Sequence, residues 1–527
     1  MNDTFVTLAF SATLAVGLAV LVRRRGWSMA IPLIAVGAVV GWLPIGPSAP
    51  PDPEIILVAI LAPLVFGEAL GSSYLDLRKV SRPVLALAIG LVVATTVVIG
   101  AVGFLFVAMP IAMAMALGAV LAPTDAVAVS TVARRAGLPR RLVSILEGES
   151  LVNDGTGLTA LKVALVAAAA GSVTLLEVTG VFVVAVTAGV VVGAVGGWLL
   201  TLVLRRSNDL VAANSLVLVA PFLLYAVSEE INGSGILAVV VAGLVIAHAQ
   251  HSDPGHTGRV QSAIVWRHIT FVLQAIAFFL VGLEIPEVLR RLDADGRADV
   301  VLLVPVVIVA LILTRGLFVF AMVGFGRATR GGATGPSLLR SSTIVAWAGA
   351  RGPVSGLAAF SIPIAFAPGE LVPFRDVILA TAFCIIVITL LLSLTIGPLA
   401  RAIGVPKDDD TELMAKIDAK LARAAVERLN DLEAEADASG TPLPGDVSER
   451  LRSDAEQRIR ESVAPESVTQ TQQLHFDQLI TTARAMIRAE QEELIRLRDE
   501  EGLPDSIARP MLRALDTRDQ ALRVRRG

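Results

Sequence analysis

The sequence predicts an all-α polytopic membrane protein: about 13 transmembrane helices in two inverted repeats with interrupted crossing helices, followed by a helical cytoplasmic tail. Three observations carry this expectation. The 527 residues are 54% apolar and only 17% charged, with a mean hydropathy of +0.72, whereas soluble domains are roughly 45–50% apolar and about 25% charged. The apolar residues fall in long runs up to about residue 400, after which the composition turns charged. Two of the runs are broken in the middle by proline. This composition argues against a purely soluble enzyme.

A bilayer core of about 30 Å needs roughly 20 mostly apolar residues per helix. Cutting the chain at charged, proline or glycine-rich breaks gives spans near 4–22, 27–43, 54–74, 83–107, 110–132, 143–168 and 175–204, then 210–229, 234–249, 264–285, 299–325, 337–364 and 371–400. The first run lacks a basic n-region and a small-residue cleavage site, so a retained helix is expected there and not a signal peptide. Arg23 to Arg25, Arg78, Lys79, Arg82, Arg134, Arg135, Arg140, Arg141, Arg205 and Arg206 all follow odd-numbered spans. Positive loops face the cytoplasm, which puts the N-terminus outside and the tail inside, in the cell membrane. The 44 glycines suit close helix packing in lipid. Cys384, the single cysteine, excludes an internal disulfide and reads as a small apolar residue.

The interruptions are Pro123 in LAPTDAVAV, in the fifth span, and Gly352-Pro353 in GARGPVSG, in the twelfth. Proline removes a backbone donor and breaks a helix. With spans 1 to 6 and 8 to 13 as repeats joined by span 7, both breaks occupy the fifth position, and the odd spacing inverts one repeat. Inverted repeats with discontinuous helices mark a secondary transporter, and unwound backbone at membrane depth has to be buried or line a watery cavity. A simple proline kink is the alternative at each break. Residues 1–406 thus form the membrane domain. Residues 407–527, with 19 Lys/Arg and 26 Asp/Glu, form a charged tail of amphipathic helices such as AKLARAAVERLNDLEAEA, expected to serve packing, oligomerisation or regulation.

Ionisable residues within spans are costly and point to function. Asp125 follows the first break; Glu149, Ser150, Asn153 and Asp154 lie in GESLVNDG; Glu68 lies in the third span; Lys162, Arg315 and Arg351 are the cations. Residues four apart share a helix face, so Ser150 and Asp154 form one polar stripe and Glu149 and Asn153 another. Two carboxylates, Asp125 and Asp154, with a hydroxyl and exposed carbonyls make a hard oxygen cage suited to a hard cation. Taken out of water beside each other, such carboxyls bind a proton or a cation in turn. For Asp125 an N-cap, and for Asp154 a structural pair with Asn153, are the simpler alternatives. The five histidines form no metal motif within a span, and no cofactor, nucleic acid or enzymatic chemistry is expected. His248, His251 and His256 read as a solvated cluster before a pH sensor.

PTDAVAV at 123–129, ILEGESLVNDGTGL from Ile145, AGARGPVSG, SGILAVVVAGLVIA at 234–247 and FFLVGLEIP at 278–286 resemble the monovalent cation:proton antiporter-1 family, the sodium/proton exchangers. The resemblance covers roughly residues 4–401. It implies that Asp154 is the ion-binding and proton-accepting carboxylate, with Asp125, Ser150 and the Thr124 carbonyl completing a site for Na+. Asn153 would donate to the unwound part of the fifth span, and Glu149 would pair with Arg351 to brace spans 6 and 12. The family further implies a homodimer with a mobile core, working in pH homeostasis. Asn153-Asp154 resembles the branch that exchanges one cation for one proton electroneutrally.

Three features depart from the pattern. Glu68 stands one place beyond the acidic position of many relatives, where this chain has Gly67, and its role is either structural or within the site. Gln274 replaces a frequent Asn. Lys162 and Arg315 belong to no motif and either snorkel or pair with acids. The expected function is sodium/proton antiport, with lithium as a surrogate; a potassium/proton antiporter is the near alternative, and a channel or membrane sensor the more distant one.

Overall fold

A computed structural model describes residues 2–43, 57–125, 138–171, 174–206, 209–252, 259–330, 336–367, 370–405, 411–439, 444–463 and 470–500, with 511, 512, 515 and 518. Arg134, Arg135, the end of PTDAVAV and His256 lie outside the described residues. The chain divides into two units, Met1–Asp408 and Asp409–Gly527.

In the first unit the apolar runs become helices. They are α1 (Asn2–Arg24), α2 (Ala30–Trp42), α3 (Ala62–Gly71) after a π-helical turn at Leu57–Leu61, α4 (Tyr74–Lys79) and α5 (Ser81–Leu85). A second π-helical turn, Ala86–Leu91, leads into α6 (Val92–Val107), and α7 (Ile111–Leu121) follows. Then come α8 (Arg140–Ala170), α9 (Leu175–Arg206), α10 (Leu210–Glu230), α11 (Gly235–Ser252), α12 (Arg259–Arg291) and α13 (Ala294–Arg330). The unit ends with α14 (Pro336–Trp347), α15 (Pro353–Phe360), α16 (Arg375–Ser393) and α17 (Ile396–Ala402). Among the described residues, seven helical segments are long and apolar enough to cross a membrane, and four shorter apolar helices accompany them. The shorter group includes α7, which is short because the backbone unwinds after Leu121.

One small element departs from the all-helical expectation. Ala365–Ala367 (β1) and Glu370–Leu371 (β2) pair antiparallel, with Ala365 opposite Leu371. This short hairpin lies between α15 and α16.

The two breaks cross. Beyond Leu121 the chain runs through Ala122 to Asp125 without helical structure, and Ala348 to Gly352 does the same between α14 and α15. The Asp125 N–H donates to the Ala350 carbonyl at 2.7 Å, and Ser355 Oγ donates to the Pro123 carbonyl at 3.4 Å. Each unwound segment thereby supplies partners for polar backbone groups that the other exposes, as a low-dielectric interior requires. Around the crossing the core is aliphatic and aromatic, with Leu117, Leu121, Leu357 and Phe383 buried.

The second unit holds α18 (Thr411–Ala438), α19 (Gly445–Val463) and α20 (Gln470–Glu500). On α18 Ala422 and Leu429 are buried, seven residues apart on one face. Arg452 of α19 reaches Glu433 of α18 at 2.7 Å.

Candidate ion-binding site

One cleft at the crossing is lined by Glu68 of α3, Thr124 and Asp125 of the first break, Ser150 and Asp154 of α8, and the first turn of α15 from Pro353 to Ser355. The polar stripe of Ser150 and Asp154, read from their spacing of four, faces this cleft. No Lys or Arg side chain is among its lining residues. Amides in the first turn of a helix carry partial positive charge and favour carboxylates nearby, so α15 opposes the acidic side chains. The three carboxyls share the cleft without converging into a compact group of three metal-ligating side chains among the described residues.

Missing side chains decide how closely these parts meet. A Cβ on Gly352 would lie 2.4 Å from the Asp125 Cβ, and one on Gly157 would lie 2.5 Å from the Pro123 ring. Glycine at 352 lets the breaks cross, and glycine at 157 lets the proline lie on α8. Real Cβ atoms do not tolerate such separations, and interiors this dense cannot open to admit them at no cost.

The second stripe of α8 makes a buried chain of hydrogen bonds. Asn153 Nδ2 donates to Thr124 Oγ1 at 2.8 Å, and Thr124 Oγ1 donates to Glu149 Oε1 at 3.0 Å. Asn153 therefore does meet the unwound part of the fifth span, through the threonine side chain. The expected pairing of Glu149 with Arg351 is corrected by the structure. Glu149 pairs with Arg315 of α13, with Nη1 on Oε1 at 2.5 Å and Nη2 on Oε2 at 2.9 Å, and both side chains are buried. A planar guanidinium matches a carboxylate best in this two-pronged geometry.

Arg351 is spent elsewhere. Its Nε donates to the Leu121 carbonyl at 3.0 Å, its Nη1 donates to the Gly349 carbonyl, and its backbone N–H donates to Thr389 Oγ1 at 3.0 Å. Leu121 ends α7 and Gly349 follows the end of α14. A helix C-terminus carries about half a negative charge, so one guanidinium offsets the ends of two half-helices. The Arg351 side chain thus has carbonyls as its partners.

Glu68 joins the cleft because of its neighbour. A Cβ at Gly67 would lie 2.4 Å from Thr270 Oγ1 and 3.1 Å from Trp266, leaving no room for an acidic side chain at that position. One residue further along the helix, about 100° round it, Glu68 reaches the cleft and accepts from Gln274 Nε2 at 3.3 Å. The departure at Gln274 is thus a longer amide that reaches Glu68.

Arg315 and Lys162, which belonged to no motif, both have acids. Lys162 Nζ lies 2.6 Å from Glu229 Oε2. Charge balance was the available signal, since an arginine within LILTRGLF needs a counter-charge in the membrane.

Residues 9–402 match the family described as the transmembrane sodium/hydrogen exchangers. A sodium, potassium, lithium and rubidium/H+ antiporter of Bacillus pumilus is 32% identical over 408 residues, which are 75% of this chain and 60% of that protein. The chain therefore spans well under the full length of that relative. An uncharacterised Na+/H+ exchanger of Mycobacterium bovis is 28% identical over 530 residues, covering 98% of this chain and 96% of that one, so this likeness continues through the tail. Among solved structures, the sodium proton antiporter MjNhaP1 of Methanocaldococcus jannaschii at pH 8 has a TM-score of 0.63 at 19% identity, covering 76% of this chain and 98% of that one, and shares the fold. On the match over residues 9–402, this chain belongs to the transmembrane sodium/hydrogen exchanger family.

Proposed function

We propose that the protein is a secondary active antiporter that exchanges a monovalent cation, Na+ or Li+, for H+ at the cleft between its crossing half-helices. The observation that carries the reading is the cleft itself, where Asp125, Ser150 and Asp154 meet the unwound backbone. Asp154 takes the cation and the proton in turn, Asp125, Ser150 and the Thr124 carbonyl complete the cation's shell, and Glu68 adds a third carboxyl at the wall. Oxygen ligands of this kind suit hard cations. Asn153, Glu149, Arg315 and Arg351 brace the two breaks and do not touch the ion.

The basic loops support an N-terminus outside the cell membrane and a tail in the cytoplasm. Family membership supports a homodimer, exchange of one cation for one proton, and a part in pH homeostasis. The breaks at matching places in two repeats support alternating access over a pore that opens to both sides. Potassium stands as a second substrate because the Bacillus relative is named for potassium and rubidium as well as sodium.

The test is exchange in proteoliposomes, following internal pH while Na+, Li+ or K+ is added outside. Wild-type protein is expected to move protons in response to Na+ and Li+, and a folded Asp154→Asn protein is expected to move none. Exchange by that variant rejects the site. A wild type that responds to no cation rejects antiport.

A further inference from the structure

Lys162 lies outside the ion cleft, yet it is held more completely than a snorkelling lysine would be. Its ammonium donates to Glu229 Oε2 at 2.6 Å and to the Gly233 carbonyl at 3.3 Å. The other carboxylate oxygen of Glu229 accepts the Gly235 N–H at 3.0 Å, at the start of α11. One turn nearer Asp154, Thr159 Oγ1 donates to Ser234 Oγ at 2.9 Å. The receiving turn, Ile231–Ser234, is itself shaped by Asn232 at φ 59° and tied to α9 by the Ser234 N–H on the Ala185 carbonyl at 2.8 Å. Beside Asp154 itself, the contact between α8 and α11 is apolar, with Gly155 against the Leu237 side chain.

We propose that Lys162 and Glu229 are positioning residues for exchange: their ion pair latches the Asp154-bearing helix to the α10–α11 turn, closes the cleft toward that turn, and opens once in each cycle. The proposal rests on the antiport reading. Two ion pairs on α8 differ in the property that matters. Glu149–Arg315 is about 2–3% exposed at both side chains, whereas Lys162–Glu229 is 33% and 34% exposed. Opening the first strands two charges in a dry interior, at a cost far above that of an exposed pair. The second sits in the last turn of α10, at a span-to-span turn and about one-third exposed, so opening it costs far less than opening a pair sealed in the interior. The buried pair therefore travels with α8 and the breaks, and the half-exposed pair marks where α8 parts from the α10–α11 turn. Apolar contacts such as Gly155 on Leu237 tolerate sliding, because they are non-directional. A lysine ammonium held by a carboxylate and a carbonyl has one register.

The experiment uses oriented proteoliposomes of the full chain. In Lys162→Met or Glu229→Gln, the apparent KM for Na+ presented on the side of the α10–α11 turn is expected to fall, and that on the opposite side to rise, each by up to about fivefold, the most that a pair of this exposure contributes. The swapped protein, Lys162→Glu with Glu229→Lys, is expected to restore both values. A second arm places Lys162→Cys and Glu229→Cys in a Cys384→Ser background and joins them with a short bis-methanethiosulfonate. Exchange is expected to stop on cross-linking and to resume on reduction. Equal KM changes on both sides, no change in either, or continued exchange by fully cross-linked protein overturns the latch. Those results in an active wild type leave antiport intact, whereas a wild type that moves no protons rejects antiport and the latch together.

Discussion

Near Glu149 two guanidiniums line the same cavity, Arg315 and Arg351, and their hydrogen-bond partners show which of them it binds. Arg315 forks onto the carboxylate, and Arg351 caps two helix ends. Removing one member of a buried pair costs about 3–5 kcal/mol, because the survivor keeps its charge without its partner. Glu149→Gln and Arg315→Met are each expected to lower the unfolding midpoint in detergent strongly, with the double variant losing much less than the sum. Arg351→Met combined with Glu149→Gln should come closer to additivity. Strict additivity for Glu149 with Arg315 contradicts the pairing. Sequence reading reached the Ser150–Asp154 stripe because a helix fixes which residues are neighbours at a spacing of four. It did not reach the pairing of Arg315 with Glu149, because nothing local links positions 149 and 315; only the long guanidinium side chain reaching from α13 to α8 does so.

At the scale of the element, the broken helices were legible and the reason they can touch was not. Pro123 and Pro353 announce their breaks by chemistry, since a residue without an N–H cannot continue the ladder. Gly352 looks in the sequence like one more helix breaker, yet its contribution is the space that Asp125 occupies. Gly67 is similar: it marks no turn, and lies inside α3 with Thr270 where its side chain would be. Gly352→Ala is therefore expected to leave helical content by circular dichroism unchanged while reducing cation-driven proton movement at least about tenfold, since ångström-scale displacement of a binding group is that costly. Near-normal exchange by this variant would mean that the crossing segments can separate without consequence. The tail was legible as amphipathic helices from its periodicity, whereas the Arg452–Glu433 contact depends on which helix returns to which.

For the whole molecule, the question with the sharpest answer is how much charge moves in a cycle. If Asp154 alone exchanges its proton for a cation, transport neither generates nor responds to voltage. Asp125 and Glu68 share the cleft, so there are carboxyls enough for a second proton, and coupled acids titrate as a group. With voltage clamped by potassium and valinomycin, Na+-driven exchange is expected to proceed at the same rate at every imposed potential. A rate that follows the potential would assign the second proton to one of the other two acids, and Glu68→Gln would then identify which by abolishing the voltage response or leaving it.

The bond from the Asp125 N–H to the Ala350 carbonyl joins one break to the other, so the two halves of the membrane unit depend on each other. A solitary half would carry its unwound backbone into lipid with amides and carbonyls unsatisfied, each costing several kcal/mol. Neither half can therefore keep its break at membrane depth by itself: each is the solvent that the other lacks.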